Sequence, residues 1–246
     1  VILTTSVRHS LFSTNAILPD TQRAFPEQLW NVTAGLTYIH KFENGWTSGL
    51  MTTFGSASDK PFNSLDEMNV GLMGFLRIPT QNERDAWMLA LFYSPVANLN
   101  FPIPGIAYSW NPSPDLRVNI GLPFSLMWRP IEDLTINLFY VPLTNINARV
   151  TYRVAENINL YAAYEFLNEA YFLADRLNRR DRFMAFEQRV VGGVRWDVWK
   201  HAALDVNAGY VFGRNYGEGR NQGSNLRDRV EIAPGAFLGG SLRIRF

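Results

Sequence analysis

Apolar and polar residues alternate along almost the whole chain at a period of two, the repeat of a β-strand, and the 3.6-residue repeat of a helix is nearly absent. Leu134, Ile136, Leu138 and Tyr140 alternate with Thr135, Asn137 and Phe139. Ile146, Ala148, Val150, Tyr152 and Val154 alternate with Asn147, Arg149, Thr151 and Arg153. Ile158, Leu160, Ala162, Tyr164 and Phe166 are set against Asn159, Tyr161, Ala163 and Glu165. The same holds for Met184, Phe186, Val190, Val194, Trp196 and Val198 against Glu187, Arg189, Arg195 and Asp197, and for Leu204, Val206, Ala208, Tyr210 and Phe212 against Asp205 and Asn207. The pattern implies an all-β protein whose strands have one apolar face and one charged face.

Composition removes several classes. The 246 residues include no cysteine, which excludes disulfide frameworks and thiolate metal sites. A formal net charge of +1 with scattered arginines gives no nucleic-acid footprint. No window approaches the roughly 18 consecutive apolar residues of a spanning helix, and no basic-then-apolar signal peptide opens the chain. Its strand-like start at Val1 is read as a mature or trimmed form. One all-β domain over 1–246 is expected. His9, His40 and His201 sit in no triad or metal-ligand pattern, so no catalytic residue, metal or cofactor is expected and the protein is read as a non-enzyme.

Period two is shared by soluble sandwiches, which hide the apolar face, and by membrane barrels, which expose it. Cost orients the faces in a barrel, since an outward arginine at the bilayer midplane costs about 2–4 kcal/mol and a wet lumen accepts it. On that basis Arg117, Arg149, Arg153, Glu165, Glu187, Arg189, Arg195, Asp197, Asp205, Arg243 and Arg245 face a lumen, together with an apolar set of Met73, Phe75, Met88, Phe92, Met127 and Phe139 that packs the wall or forms a greasy slot. An aromatic girdle at strand ends is assigned to Trp30, Trp46, Trp87, Tyr93, Trp110, Trp128, Tyr152, Tyr164, Trp196, Tyr210 and Phe246; ordinary core aromatics are the alternative.

Connections fall into two interleaved lengths. Tight-turn chemistry marks Glu43–Gly45, Pro79–Asp85, Asn111–Asp115, Arg129–Asp133, Ala155–Asn157 and Trp199–His201. Longer loops are read at Ser13–Gln28, Ser58–Ser64, Val96–Phe101, Tyr171–Arg182 and Arg214–Arg229. Turns at Pro123 and near Pro142–Asn145 bring the total to about fourteen strands, with twelve as the alternative if Leu116–Trp128 is continuous. An internal echo recurs: the run from Trp110 to Ile120 matches that from Trp128 to Leu138 and, more loosely, Tyr152 to Leu160, each an aromatic, a turn and an outgoing strand. Two runs are arginine-rich, Arg176, Arg179, Arg180 and Arg182, then Arg214, Arg220, Arg227 and Arg229. They are read as solvated faces or, if external, as ligands for lipopolysaccharide phosphates. The glycine run Gly217–Gly223 lacks the lysine and strand-to-helix context of a phosphate loop.

The ending is the most specific segment. Ile232, Pro234, Ala236, Leu238, Gly240, Leu242, Ile244 and Phe246 share one face, and Ser241, Arg243 and Arg245 the other. This alternation up to a terminal aromatic resembles the closing-strand signature of bacterial outer-membrane β-barrels, and the chain is similar to uncharacterised porin-like families. The resemblance implies a transmembrane antiparallel up-and-down barrel in the outer membrane, with short periplasmic turns and longer extracellular loops. Its implied partners are the lipid bilayer, lipopolysaccharide, the barrel-assembly machinery through the C-terminal strand, and further copies or an envelope complex. Passive diffusion of small polar or anionic solutes through an arginine-rich lumen is the expected function. The alternatives are a non-conducting structural or accessory barrel and an outer-membrane lipid-modifying enzyme whose triad comes from distant strands.

Overall fold

The structure, a computed structural model, describes residues 1–82, 84–94, 101–142, 145–220 and 225–244. Its strands are β1 (Ile2–Leu11), β2 (Gln28–Lys41), β3 (Thr47–Ser58), β4 (Met68–Pro79), β5 (Ala86–Tyr93), β6 (Ile103–Ser113), β7 (Leu116–Gly121), β8 (Phe124–Ile131), β9 (Leu134–Val141), β10 (Asn145–Ala155), β11 (Ile158–Tyr171), β12 (Arg182–Trp199), β13 (Ala202–Gly219), β14 (Arg227–Ile232) and β15 (Gly235–Ile244). A 3-10 turn at Leu65–Glu67 is the one helical element among the described residues. The fifteen strands form a single sheet in which β1 to β14 are neighbours in chain order and β15 pairs with β13. The architecture is therefore all-β, antiparallel and up-and-down.

Among the described residues the count is fifteen, not fourteen or twelve. Ala233 and Pro234 interrupt the last line of pairing, and β13 serves both pieces, its residues 202–211 being taken by β15. Proline has no N–H to give the ladder, so the strand breaks where it stands. Leu116–Trp128 is two strands, with Leu122 and Pro123 between them.

The six short turns fall where the sequence places them. Gly45 adopts a φ of +81° and the Asn44 side chain accepts the Trp46 N–H at 3.1 Å, which closes the first. The internal echo acquires a structural meaning. The turn carbonyls of Asp115, Asp133 and Asn157 each accept a backbone N–H from the next strand but one, at Arg129, Arg153 and Asp197, all at 2.8 Å. The first two turns add ion pairs, Asp115 with Arg129 and Asp133 with Arg153. Of the long connections, residues 12–27, 59–67 and 172–181 match expectation, and Val96–Asn100 lie outside the described residues. The loop expected at Arg214–Arg229 is corrected at both ends, because β13 runs on to Gly219 and β14 begins at Arg227, while residues 221–224 lie outside the described residues. Gly213 takes a φ of +57° inside β13, and the last four residues of that strand, from Tyr216 to Gly219, are all buried.

Contacts group the residues into two units. One comprises Val1–Ile106, Asn168–Phe186 and Asn215–Ile232; the other comprises Ala107–Leu167, Glu187–Arg214 and Ala233–Phe246. The first has an aromatic core around Phe25, which meets Phe12 at 5.4 Å, Phe183 at 5.5 Å and Tyr216 at 4.9 Å between ring centroids. The second has a small cluster of Tyr161, Ala163 and Val191 with Phe237 against it.

Close strand packing leaves no room for a side chain at Gly55. A Cβ on Gly55 would stand 2.1 Å from the Val32 carbonyl oxygen and 3.0 Å from the Thr33 Cα, both backbone atoms, whereas Gly74 has open space. Gly55→Ala should therefore lower unfolding free energy by about 1–3 kcal/mol and Gly74→Ala should leave it nearly unchanged, as measured by denaturant titration of the folded protein.

Candidate functional site

The candidate site is the polar face of the sheet, and cross-strand register defines it because directly paired residues point to the same side. In the second unit one rung runs Arg117–Met127–Asn137–Arg149–Ala163, and its neighbour runs Ser109–Asn119–Ser125–Phe139–Asn147–Glu165. The opposite face of the same strands carries Leu116, Trp128, Ile136, Val150 and Ala162 in one rung and Val118, Leu126, Leu138, Ala148 and Tyr164 in the next. In the first unit Leu36, Thr52, Leu72 and Tyr93 share a rung, as do Tyr38, Leu50, Gly74 and Leu91, while Thr37, Met51, Met73 and Phe92 lie on the other side.

Exposure separates these faces in the direction opposite to that of a water-soluble protein. Leu36, Tyr38, Leu50, Phe54, Leu72, Leu91, Val150, Tyr152, Val190, Trp196, Val206 and Tyr210 are exposed, and Leu238 reaches 80%. On the polar face Tyr161 is only 7% exposed and Glu187 only 5%. Every member of the apolar set named from sequence, Met73, Phe75, Met88, Phe92, Met127 and Phe139, shares the side that carries Arg77 and Arg117.

The charged residues of this face are tied into small networks. Tyr161 is central: its hydroxyl donates to Asp205 Oδ1 at 2.6 Å, and the Arg149 guanidinium lies 4.0 Å from its ring centroid. Asn207 also donates to Asp205, at 3.1 Å. Gly193 leaves the space that the Tyr161 ring fills. Asn147 donates to Glu165 at 3.2 Å. Glu187 receives Arg189 on one oxygen and faces Arg214 at 3.7 Å on the other, and Arg189 also covers the Phe237 ring. Nearer the short turns, Arg195 pairs with Asp197 at 2.9 Å and Arg153 with Asp133 at 2.7 Å. Arg117 and Arg243 are exposed, and Arg243 helps line a small recess with Arg195, Lys200 and His201. Arg245 and Phe246 lie outside the described residues.

The aromatics assigned to a girdle divide. Trp46, Trp87, Trp110, Trp128, Tyr152 and Trp196 are exposed and stand in or beside short turns. Trp30 and Tyr93 stand at the opposite ends of β2 and β5, where Trp30 stacks on His9 at 3.6 Å. Tyr164 and Tyr210 are not at strand ends, since β11 has 14 residues and β13 has 18.

The arginine-rich runs are not simply solvated. In the first unit Arg176 packs over Phe172 and faces the buried Glu67 at 3.6 Å, Arg227 pairs with Asp181, and Arg182 is itself buried. Residues that sequence reasoning missed complete this region. Arg23 donates to Asp175 Oδ1 at 2.8 Å, pairs with Glu218, and reaches Asp228 at 3.4 Å. Burial lowers its proton affinity, but these carboxylates more than offset that and leave its pKa raised, so it remains a fixed cation. The signal available in the sequence was the alternation of Tyr216 and Glu218 inside a glycine-rich run that reads as a loop.

A family model described as "Domain of unknown function (DUF6268)" matches residues 13–229. No curated protein matches the chain. Among solved structures it is similar to one described as "NanC porin structure in rhombohedral crystal form", with 12% identity, 100% of each chain covered and a TM-score of 0.38. At that distance the likeness fixes neither fold nor function.

The Tyr161 hydroxyl is the joint of the central network. Tyr161→Phe keeps the ring beneath Arg149 and removes a hydrogen bond to a carboxylate, so denaturant titration should show a loss of about 1.5–3 kcal/mol; an unchanged midpoint would deny the bond any weight.

Proposed function

We propose that this chain, which belongs to the family described as Domain of unknown function (DUF6268), is a bacterial outer-membrane β-barrel through which small polar or anionic solutes diffuse passively. The observation that carries this reading is the inverted polarity of the sheet. Apolar side chains stand exposed along strand after strand while arginine, glutamate, aspartate and asparagine occupy the opposite side, where Tyr161 and Glu187 are buried. Leaving such a surface in water forfeits about 25 cal/mol for each Å² of apolar area, and soluble monomers rarely carry apolar patches beyond a few hundred Å². Acyl chains remove that cost.

In this reading the polar face lines a wet lumen. Paired groups such as Arg189 with Glu187 and Arg195 with Asp197 stiffen the wall and contribute little net field. Arg149, held on a neutral ring, and Arg117 on the same rung leave positive charge facing the passage. Such charge concentrates anions and raises their rate of entry by electrostatic focusing. A solute needs only to partition in and out, and the proposal assigns no bond-making step, cofactor or catalytic residue. The aromatics beside the short turns suit an interfacial belt. A second reading, a closed accessory barrel in an envelope complex, draws on the aromatic cluster around Phe25.

Reconstitution in planar bilayers tests the reading. Stepwise openings with an anion-selective reversal potential in a KCl gradient are expected, and Arg149→Glu should shift that potential toward cations. Correctly inserted protein that never conducts would favour the accessory barrel. Orientation is checked separately: Val150→Arg, on the exposed face, should cost about 2–4 kcal/mol in vesicles, while Thr151→Arg, on the polar face, should cost far less.

A further inference from the structure

The segment Phe12–Glu27 joins β1 to β2 and folds back as a small hairpin. Ile17 bridges Ala24, Phe25 N–H donates to the Ala16 carbonyl at 3.0 Å, and Leu18 N–H donates to the Arg23 carbonyl at 2.8 Å. Its two apolar anchors, Leu18 and Phe25, are buried, and they pack in one cluster with Leu29 and Ala57. Those two neighbours place the hairpin on the sheet. Ala57 pairs with Asn31, Leu29 is two residues from Asn31 on the same strand, and this side carries Thr33, Asn69 and Arg77 in register. The hairpin therefore covers the polar side, which in the channel reading is the side that holds water.

The hairpin is latched by charge as well as by packing. Asp228, fully buried and at φ +52°, accepts the backbone N–H groups of Asp20 and Thr21 at 2.8 Å and the Thr21 hydroxyl at 2.7 Å. Its own N–H donates to the Asp20 carboxylate at 2.6 Å. Arg23 then bridges Glu218, Asp228 and Asp175. Taking either side of a buried ion pair away leaves the other uncompensated, so the cage resists loosening by small fluctuations.

We infer that Phe12–Glu27 is an internal size filter of the passage, with Arg23 the positioning residue that fixes it through the Glu218 and Asp228 carboxylates. This rests on the channel reading, and it makes the first connection the determinant of the largest solute admitted, whereas Arg149 acts on charge. Liposome swelling with uncharged oligosaccharides of increasing size reads the cut-off directly. The first comparison uses three proteins: the native chain, the pair Glu218→Gln with Asp228→Asn, and a chain in which 14–24 are replaced by a glycine-serine linker of equal length. Both altered proteins should admit larger saccharides than the native chain and show a larger unit conductance. Arg23→Lys, which keeps the cation, should restore most of the native cut-off relative to Arg23→Ala.

A readout that needs no conduction separates the two ideas. Trypsin should leave the Arg23–Ala24 bond intact in the native protein and cut it in the Glu218→Gln, Asp228→Asn pair. Equal cut-offs across the series, with equal cleavage of the native protein and of the Glu218→Gln, Asp228→Asn pair, would overturn the filter and leave the channel standing. Native silence with open variants would support the filter and show that it closes the native chain. If no protein in the series conducts, including the one with the linker, the channel reading falls and the filter falls with it, whatever trypsin reports about the latch.

Discussion

The structure depends on where a guanidinium is permitted to stand. An arginine side chain can be placed against water or against a carboxylate, but not against hydrocarbon without a cost of several kcal/mol. Arg117 and Arg149 of the second unit keep this rule, standing on the side that also carries Asn119, Ser125, Asn147 and Glu165 and opposite Leu116, Trp128 and Val150. Once that side is fixed on one strand, the register fixes it on the next, because a slip of one residue would move every charge to the other face. The sheet thus propagates one decision about polarity through hydrogen-bonded neighbours.

The first unit shows how the same rule accommodates a buried aromatic core. Phe25, Phe183 and Tyr216 pack edge to face or stacked in one cluster with Leu29 and Ala57, whose side of the sheet also carries Thr33 and Asn69. Arg23 enters that region with Glu218, Asp228 and Asp175 around it, so its guanidinium stands among carboxylates. The central tyrosine of the second unit is the counterpart at smaller scale. Its ring takes the cation of Arg149 on one face and its hydroxyl hands the charge balance to Asp205.

Much of this was legible beforehand, and the exceptions share a cause. Alternation was enough to put Arg117, Arg149 and Glu165 on one side and Val150 on the other, and tight-turn residues located the six short connections. The echo from Trp110 to Leu160 was visible as a repeat, although only the hydrogen bonds of Asp115, Asp133 and Asn157 explain what it does. What escapes periodicity is the extent of the last strands. Tyr216 and Glu218 belong to a strand that runs on to Gly219 through glycine-rich sequence that reads as loop, and the break at Ala233–Pro234 makes two strands of one expected. Partners distant in the chain also escaped: Asp20 and Asp228 are 208 residues apart, and periodicity carries no information about such a pair.

The central claim concerns which side meets lipid, and the absence of cysteine makes it directly measurable. Spin labels introduced one at a time from Ile146 to Arg153 in vesicles would report collision with oxygen, which dissolves in acyl chains, and with a water-soluble nickel chelate. The account predicts a period of two, with oxygen favoured at 146, 148, 150 and 152 and the chelate favoured at 147, 149, 151 and 153. Chelate access at the even positions, with the odd positions shielded from both reagents, would contradict it.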